Sequence, residues 1–341
     1  MQLPLIFSEK RLSGKSITVL AGDIGGTKTN LALFRMVGDQ FTALKEASYK
    51  SQDFESFTRI ADHFLKGANL PDAVCIGVAG PVLGGKVKLT NLVWEIDGHE
   101  IAAHLGIAEV HLINDLEAMA YGLAMLSNKD SKLVHEGMKD ATGNAAVIAP
   151  GTGLGQAGLF WDGQYYHPFA TEGGHCDFAP RNQMDFELYE FLQYEFGHVS
   201  WERLVCGPGI FNIYRFLREE GKREEPGWLT QKLSEGDAPA VISMNVENSE
   251  LCKETMQLFI RYLAFESANL VLKMKATGGL FIGGGIAPQM IRLFSEYQFN
   301  QFFLGSGRMN LLLEKVPVKI ILNTKAGLLG AAYYGAGKAS E

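Results

Sequence analysis

The sequence lacks the features that would direct it to nucleic acid, to disulfide chemistry or to a membrane. Its 341 residues include 31 Lys and Arg against 38 Asp and Glu, a net charge of −7, and no basic stripe, so nucleic acid is not an expected partner. The four cysteines are far apart and form no C-x-x-C pair, which favours free thiols in a reducing cytoplasm. No apolar run approaches the roughly 18 residues of a membrane span, because glycines divide the apolar stretches.

The beginning of the chain does not resemble a secretory signal. MQLPLIFSEKRLSGK has a short apolar patch followed by charges, which is too short and wrongly flanked for that purpose. We interpret residues 1–15 as an extension before the first strand. Because 341 residues exceed the size at which one hydrophobic core stops growing, we expect two domains with a cleft between them.

Predicted strands and helices alternate along the chain, which indicates an α/β fold. Alternating or continuous apolar segments predict strands at 16–21, 30–34, 73–78, 111–113, 145–149, 157–161, 164–167 and 279–282. Apolar residues at helical spacing predict helices over 54–65, 115–126 and 251–275, with one more that has Pro288 in its first turn.

Glycine is the residue in excess, at 39 of 341, or about 11% against a background of about 7%. The excess is clustered, since 24 of the 39 fall in seven short stretches: 22–26, 77–85, 151–158, 173–174, 207–209, 278–285 and 327–337. With only 11 prolines and no G-X-Y period, this pattern excludes collagen and favours close approach of the backbone to another group.

Two of these stretches share one plan. VLAGDIGGTKTNLALF (19–34) and VIAPGTGLGQAGLFWDG (147–163) both read as strand, glycine and threonine loop, strand. Backbone N–H groups in such loops form concave nests for phosphate oxygens, and two loops facing each other would suit a nucleotide; the alternative is a pair of hairpin turns without a ligand. Neither loop is a P-loop, and the G-x-G-x-x-G match at Gly153, Gly155 and Gly158 is not followed by a helix.

Polar residues stand beside the glycine loops. Asp23 follows the first strand, where a carboxylate among phosphate donors suggests hydrated Mg²⁺, although it could also close its own turn. Asp115, after Asn114, is either a helix N-cap or a general base at a strand end. The set is completed by residues suited to binding several hydroxyls: Glu172, His175 and Glu202. The spacing of His and Cys gives no zinc site, so zinc is not expected.

These motifs together resemble the bacterial-type glucokinases, members of the sugar kinase, Hsp70 and actin superfamily. The matching segments run in family order over residues 22–332: GDIGGTKTNLALF, GVAGPV, TNLVW, LINDLEAMAYG, APGTGLG, EGGHCDF, WERLVCGPGI, FIGGGIAP and KAGLLGAA. The resemblance implies a two-domain actin-like (ribonuclease H-like) ATPase fold. The smaller α/β domain would comprise 1–113 with 325–341, and the larger 114–324. A homodimer is also expected on this ground.

The resemblance also assigns roles to residues. Asp115 would accept the proton of the sugar 6-hydroxyl, and the hydroxyls would be held by Asn91, Asn114, Asp115, Glu172, His175 and Glu202. The nucleotide would be bound by Gly22, Asp23, Ile24, Gly25, Gly26, Thr27, Gly151, Thr152, Gly153, Gly283, Gly284 and Gly285. Asp23 would hold Mg²⁺ through water. The chain departs from the family at Lys28, where many members have Asn, and it lacks a cysteine-rich zinc segment after EGGH.

The function implied is transfer of phosphate from ATP to the 6-hydroxyl of glucose, giving glucose 6-phosphate for glycolysis. Three alternatives stay open: a kinase for another hexose, a sugar-sensing regulator without activity, and an actin-like or chaperone-like ATPase. The regulator is disfavoured because only 21 residues precede Gly22, too few for a helix-turn-helix. The ATPase leaves the hydroxyl-binding set unexplained.

Overall fold

The computed structural model describes residues 3–7, 16–25, 27–37, 40–89 and 94–340. Its strands are β1 Ser16–Ile24, β2 Lys28–Val37, β3 Gln40–Lys50, β4 Ala73–Val78, β5 Lys86–Lys88, β6 Glu95–Asp97, β7 Val110–Asn114, β8 Ser131–His135, β9 Ala145–Pro150, β10 Leu154–Trp161, β11 Tyr166–Thr171, β12 Gly279–Ile282 and β13 Val318–Ile321. Its helices are α1 Phe57–Leu65, α2 Gly98–Leu105, α3 Asp115–Gly122, α4 Gln183–Phe196, α5 Gly207–Glu219, α6 Gly227–Glu235, α7 Ala238–Met244, α8 Glu250–Met274, α9 Ile291–Glu296, α10 Phe299–Phe303, α11 Asn310–Leu313 and α12 Ala326–Lys338. Within the described ranges, no helix is both long enough and apolar enough to span a bilayer.

The chain divides into two compact units. The first contains the residues up to Asp130, Leu159–Ala170 and the residues from Asn323 onward, and the second contains Ser131–Gly158 and Thr171–Leu322. Residues 114–130 thus belong to the first unit, whereas we placed them in the larger domain. The reason is the close packing of α3 against α12: a Cβ on Gly330 would lie 1.7 Å from the carbonyl oxygen of Ala118.

The first unit is built on a five-stranded sheet of order β3-β2-β1-β4-β7. β1, β4 and β7 run parallel, and β2 and β3 continue the sheet antiparallel. β4 is apolar and buried along its whole length, as is typical of a parallel strand covered on both faces. Ile24 pairs with Val78, and Val78 pairs with Asn114, so the carboxyl ends of β1 and β7 lie at the same sheet edge. That edge is where ligands bind in open α/β sheets.

The second unit contains a six-stranded sheet of order β11-β10-β9-β12-β13-β8. β9, β12 and β13 are parallel, and β8 closes one edge antiparallel. The 25-residue helix α8 runs through the core of this unit, capped at its start by Ser249, whose hydroxyl accepts from the Cys252 N–H at 3.3 Å. Its buried side chains include Phe259 and Tyr262, which pack with Trp201 in one apolar cluster.

Part of the predicted N-terminal extension is packed within the first unit. Leu5 forms a parallel bridge with Tyr166, whose backbone N–H donates to the Pro4 carbonyl at 2.8 Å. Phe7 is 3% exposed and lies against α12, where a Cβ on Gly337 would stand 2.2 Å from its ring. Residues 3–7 therefore contribute to the core of this unit.

Candidate active site

The first glycine loop joins β1 to β2 at the ligand-side edge of the first sheet. Gly25 donates its N–H to the Lys28 carbonyl at 2.9 Å, and the Thr27 carbonyl accepts from the Ser51 N–H at 3.0 Å. Gly22 lies so close to the neighbouring strand that a Cβ would be 3.1 Å from a methyl carbon of Ile76. The loop is therefore held from both sides by backbone contacts. Gly26 lies outside the described residues.

Asp23 lies one residue before the end of β1. Burial raises the pKa of its carboxyl, and a hydrogen bond from the Asn30 side chain at 3.4 Å opposes this in part. A carboxylate whose ionised form is disfavoured by burial gains from a nearby cation. The position therefore fits a hydrated divalent cation held by one carboxylate oxygen. Among the residues described, His, Cys, Asp and Glu side chains form no group of three that could hold a metal directly.

Two roles are predicted for Asp115 at the β7–α3 junction, helix N-cap or general base. The N-cap is Asn114, whose Oδ1 accepts from the backbone N–H groups of Leu116 at 2.9 Å and Glu117 at 3.3 Å. Its Nδ2 donates to the Gly80 carbonyl at 3.3 Å. Asp115 is partly exposed, with Oδ1 2.9 Å from the Leu116 nitrogen. Asp115 is thus the first helical residue, at the sheet edge where a general base is expected.

The second glycine loop connects β9 to β10 in the second unit. Gly151 donates its N–H to the Gly153 carbonyl at 2.9 Å, and the Gly151 carbonyl accepts from the Gly207 N–H at 2.8 Å. A Cβ on Gly284, whose φ is +80°, would lie 2.3 Å from the Pro150 carbonyl oxygen. The predicted nucleotide segment 283–285 therefore packs against Pro150, the residue directly before the segment 151–153. Gly155 and Gly158 belong to strand β10, so the literal dinucleotide match has no helix behind it.

Three predicted sugar-binding residues are close together in the same unit. The His175 ring lies between two carboxylates, with Nε2 4.0 Å from Glu172 Oε2 and Nδ1 4.0 Å from Glu202 Oε1. The side chain of His175 is 61% exposed, that of Glu172 is 55% exposed and that of Glu202 is 28% exposed, so their polar atoms are accessible to a ligand. An imidazole between two carboxylates offers both donors and acceptors to neighbouring hydroxyls. Asn91 lies outside the described residues.

The glycines of the Gly173–His175 turn allow it to pack against β10. A Cβ on Gly174 would lie 2.0 Å from the Leu154 carbonyl oxygen, and one on Gly173 would lie 2.2 Å from Gln156 Oε1. Gln156 is buried and donates from Nε2 to Glu266 Oε1 at 2.8 Å. The turn that carries His175 is thus supported by β10, the strand that follows the second glycine loop.

Two residues that support the candidate site, Cys206 and Glu266, were not predicted from the sequence. Cys206 caps α5 through Sγ, which accepts from the Gly209 N–H at 3.3 Å and donates to the Glu202 carbonyl at 2.9 Å. Cysteine is not among the usual N-cap residues, so the C-G-P-G order alone gave no cap signal. Glu266 is fully buried and pairs with Lys273 at 3.3 Å. In the sequence, Glu266 lies among the apolar residues of α8, and a carboxylate at such a position indicates a buried polar network.

Comparison with known proteins places the chain in a family. The family model described as Glucokinase matches residues 20–338. The glucokinase of Trichormus variabilis is 40% identical over 333 residues, covering 92% of this chain and 97% of that protein. The crystal structure of a glucokinase from an Antarctic psychrotroph is 31% identical with a TM-score of 0.79, covering 93% of this chain and 98% of that one.

A more distant structure shares the fold. The ROK-family glucokinase from Streptomyces griseus, solved in complex with glucose and AMPPNP, is 18% identical with a TM-score of 0.63, covering 93% of this chain and 99% of that one. The fold is that of the actin-like α/β sugar kinases, which confirms the fold class predicted from the sequence. The chain belongs to the glucokinase family.

Proposed function

We propose that the protein transfers the γ-phosphoryl group of ATP to the 6-hydroxyl of glucose. The observation that carries the proposal is the grouping, in one compact unit, of a glycine loop of phosphate-binding type with the Glu172, His175 and Glu202 set. Membership in the glucokinase family supports the reaction class. Complexes of glucose and AMPPNP with the Streptomyces griseus protein support the substrate pair.

The sugar is held by hydrogen bonds to its hydroxyls. Glu172 and Glu202 supply acceptors, and His175 supplies a donor or an acceptor according to its tautomer. Asn114 keeps a second amide hydrogen for a hydroxyl after its contact with the Gly80 carbonyl. Asn91 is proposed for the same set. A site built from such groups rejects analogues that lack one of the hydroxyls, because polar groups that the bound sugar covers would then be left unpaired.

The nucleotide phosphates are bound by the two glycine loops. Residues 22–27 and 151–153 are proposed to line the phosphates. The N–H groups of Gly25 and Gly151 are bonded within their own loops, so the exposed Thr27 and Thr152 are the proposed hydroxyl donors, together with the remaining loop N–H groups. Gly283–Gly285 is proposed to line the adenosine. Asp23 would hold Mg²⁺ through water, and the cation would supply charge neutralisation on the phosphates when bound.

Asp115 is the proposed general base. As the 6-oxygen forms its bond to the γ-phosphorus and the bond to the bridging oxygen of ADP breaks, the hydroxyl proton passes to the Asp115 carboxylate. Phosphoryl transfer depends mainly on positioning and charge stabilisation, so a base positioned by a helix start and a strand end is sufficient. General-base catalysis typically contributes about 10² to 10⁴ in rate.

Two further properties are proposed, the cellular compartment and the oligomeric state. All four cysteines are free, as suits a reducing cytoplasm, where glycolysis supplies the use for the product. A homodimer is proposed from the family resemblance, and light scattering of the purified chain would measure it.

Release of ADP, followed with a panel of hexoses at fixed Mg²⁺-ATP, separates the candidate functions. The proposal expects release that depends on a hexose, with glucose giving the highest kcat/KM. A regulator would bind the sugar without releasing ADP, and an actin-like or chaperone-like ATPase would release ADP without any sugar. A higher kcat/KM for another hexose would identify a kinase for that sugar.

A further inference from the structure

The backbone of Glu202 is fixed from several directions. Glu202 lies in the 3-10 turn Trp201–Arg203, and the Trp201 side chain is 2% exposed. The Trp201 N–H donates to the Cys176 carbonyl at 3.0 Å, and the Cys206 thiol donates to the Glu202 carbonyl at 2.9 Å. The position of the carboxylate is therefore set by the side-chain torsions of Glu202 and by what its two oxygens bind.

The two oxygens of this carboxylate face different partners. Oε2 accepts from the backbone N–H of Leu154 at 2.8 Å, and Oε1 faces His175 in the sugar-binding set. Leu154 is the residue directly after the glycine loop 151–153, so this hydrogen bond fixes the end of the loop. A hydrogen bond to an ionised acceptor is roughly twice as strong as one between neutral groups.

Gly153, the residue before Leu154, leaves space for the same oxygen, Glu202 Oε2. A Cβ on Gly153 would lie 2.4 Å from Glu202 Oε2, which is closer than two such atoms can approach. By contrast, among the described residues a Cβ on Gly151 would have only the Gly153 carbonyl oxygen within 4.0 Å. Neither glycine has a positive φ, so alanine is compatible with the backbone at both positions.

We infer that Glu202 couples hexose binding to the second phosphate loop. Hydroxyls bound at Oε1 fix the carboxylate, and the carboxylate fixes the Leu154 N–H and with it the loop that binds the phosphates. Glu202 is thus a sugar ligand and also a positioning residue for the nucleotide. The inference rests on the proposed function, since it needs the sugar at Glu202 and the phosphates at 151–153.

Coupling between two binding sites is reciprocal. If hexose tightens nucleotide binding by some factor, nucleotide tightens hexose binding by the same factor, typically about 5 to 150. The loop is also held by the contacts of Gly151 with Gly207 and of Pro150 with Gly284, so a factor near the lower end, about 5, is expected.

Glu202→Gln and Glu202→Ala provide a matched pair, probed with Mg²⁺-AMPPNP in the absence of sugar by calorimetry. The glutamine amide oxygen can still accept from Leu154, through a weaker bond than the carboxylate forms, so this variant should bind AMPPNP more tightly than Glu202→Ala while binding glucose more weakly than wild type. Glu202→Ala loses the contact and should bind AMPPNP about 5-fold more weakly, as expected for the loss of one hydrogen bond. If Glu202 only binds sugar, both variants keep wild-type AMPPNP affinity, and that result would overturn the inference.

Gly153→Ala and Gly151→Ala test the coupling from the other side, with glucose as the probe and no nucleotide present. Gly153→Ala displaces the Glu202 carboxylate and should weaken glucose binding about 10-fold, whereas Gly151→Ala should leave glucose affinity unchanged. Equal glucose affinity in the two variants would overturn the inference. Thermal unfolding checks that all variants are folded.

The outcome also distinguishes this inference from the proposed function. A wild-type chain that binds AMPPNP but no hexose overturns both. A wild-type chain that phosphorylates glucose, with the two Glu202 variants alike in AMPPNP affinity, overturns the coupling alone.

Discussion

Asn114 Oδ1 lies 2.9 Å from the backbone nitrogen of Leu116 and so caps the helix that Asp115 begins. Because Asn114 is the cap, the charge of Asp115 is not required to start α3. The consequence is that removing this charge tests chemistry separately from folding.

Asp115→Asn should reduce turnover by about 10² to 10⁴ while glucose still binds, because the amide cannot accept the proton. Steady-state kinetics and calorimetric glucose binding measure the two effects. Glu117→Gln, the same change two residues further along α3, is the matched control and should keep turnover near wild type. Near wild-type turnover in Asp115→Asn would exclude it as the base.

Asp23→Asn should affect the stability of the ligand-free protein and the binding of nucleotide differently. Burial raises the pKa of Asp23, so the folded state holds its proton more tightly than the unfolded state does. This group therefore lowers stability as the pH rises from its unfolded pKa through its folded pKa, and the loss persists at higher pH. The variant should keep or raise the melting temperature without ligand, and should lose much of the increase that Mg²⁺-AMPPNP gives the wild type.

Scanning fluorimetry with and without Mg²⁺-AMPPNP measures both parts of that prediction. Asp140→Asn, at an exposed position, is the control and should change neither value. A full Mg²⁺-AMPPNP response in Asp23→Asn would show that the carboxylate does not hold the cation.

Phe7→Ala should destabilise the first unit, because the ring is 3% exposed and packs on α12. Truncation of a buried phenylalanine typically costs about 3 to 5 kcal/mol. Leu83→Ala, at a side chain that is 75% exposed, should cost less than about 0.5 kcal/mol. Urea unfolding measures both, and equal losses would show that residues 3–7 do not contribute to the core.

Cys176 should be the thiol that reacts in the native protein. It is exposed, whereas Cys75, Cys206 and Cys252 are buried. Burial raises the pKa of Cys206 to about 12 and that of Cys75 well above its usual value, so neither forms thiolate near neutral pH. Mass spectrometry after brief iodoacetamide treatment should find the label on Cys176. Early labelling of Cys206 would contradict its position as a buried helix cap.

Continuous apolar segments between glycines were predicted with the correct limits. Residues 73–78 and 279–282 match β4 and β12, since a buried parallel strand is apolar throughout. The second hairpin strand was predicted at 164–167 but runs from Tyr166 to Thr171. The turn is longer because Asp162 Oδ1 accepts from the N–H groups of both Gln164 and Tyr165 at 2.7 Å.

Contacts between distant parts of the chain could not be predicted from local pattern. The bridge between Leu5 and Tyr166 and the fit of Phe7 beside Gly337 depend on packing that no sequence window contains. The close approach of Gly330 to Ala118 likewise joins two helices that are far apart in the sequence. The sugar-binding set stays a prediction from residue type, whereas the hydrogen bond from the Leu154 N–H to Glu202 is visible only in the structure.

The central claim is most directly tested by identifying the product. Purified protein with Mg²⁺-ATP and glucose is coupled to a dehydrogenase specific for glucose 6-phosphate, and NADPH formation is followed by absorbance. The account predicts NADPH formation that requires both glucose and ATP and is lost in Asp115→Asn. ADP release without glucose 6-phosphate, or no reaction with glucose at all, would contradict it.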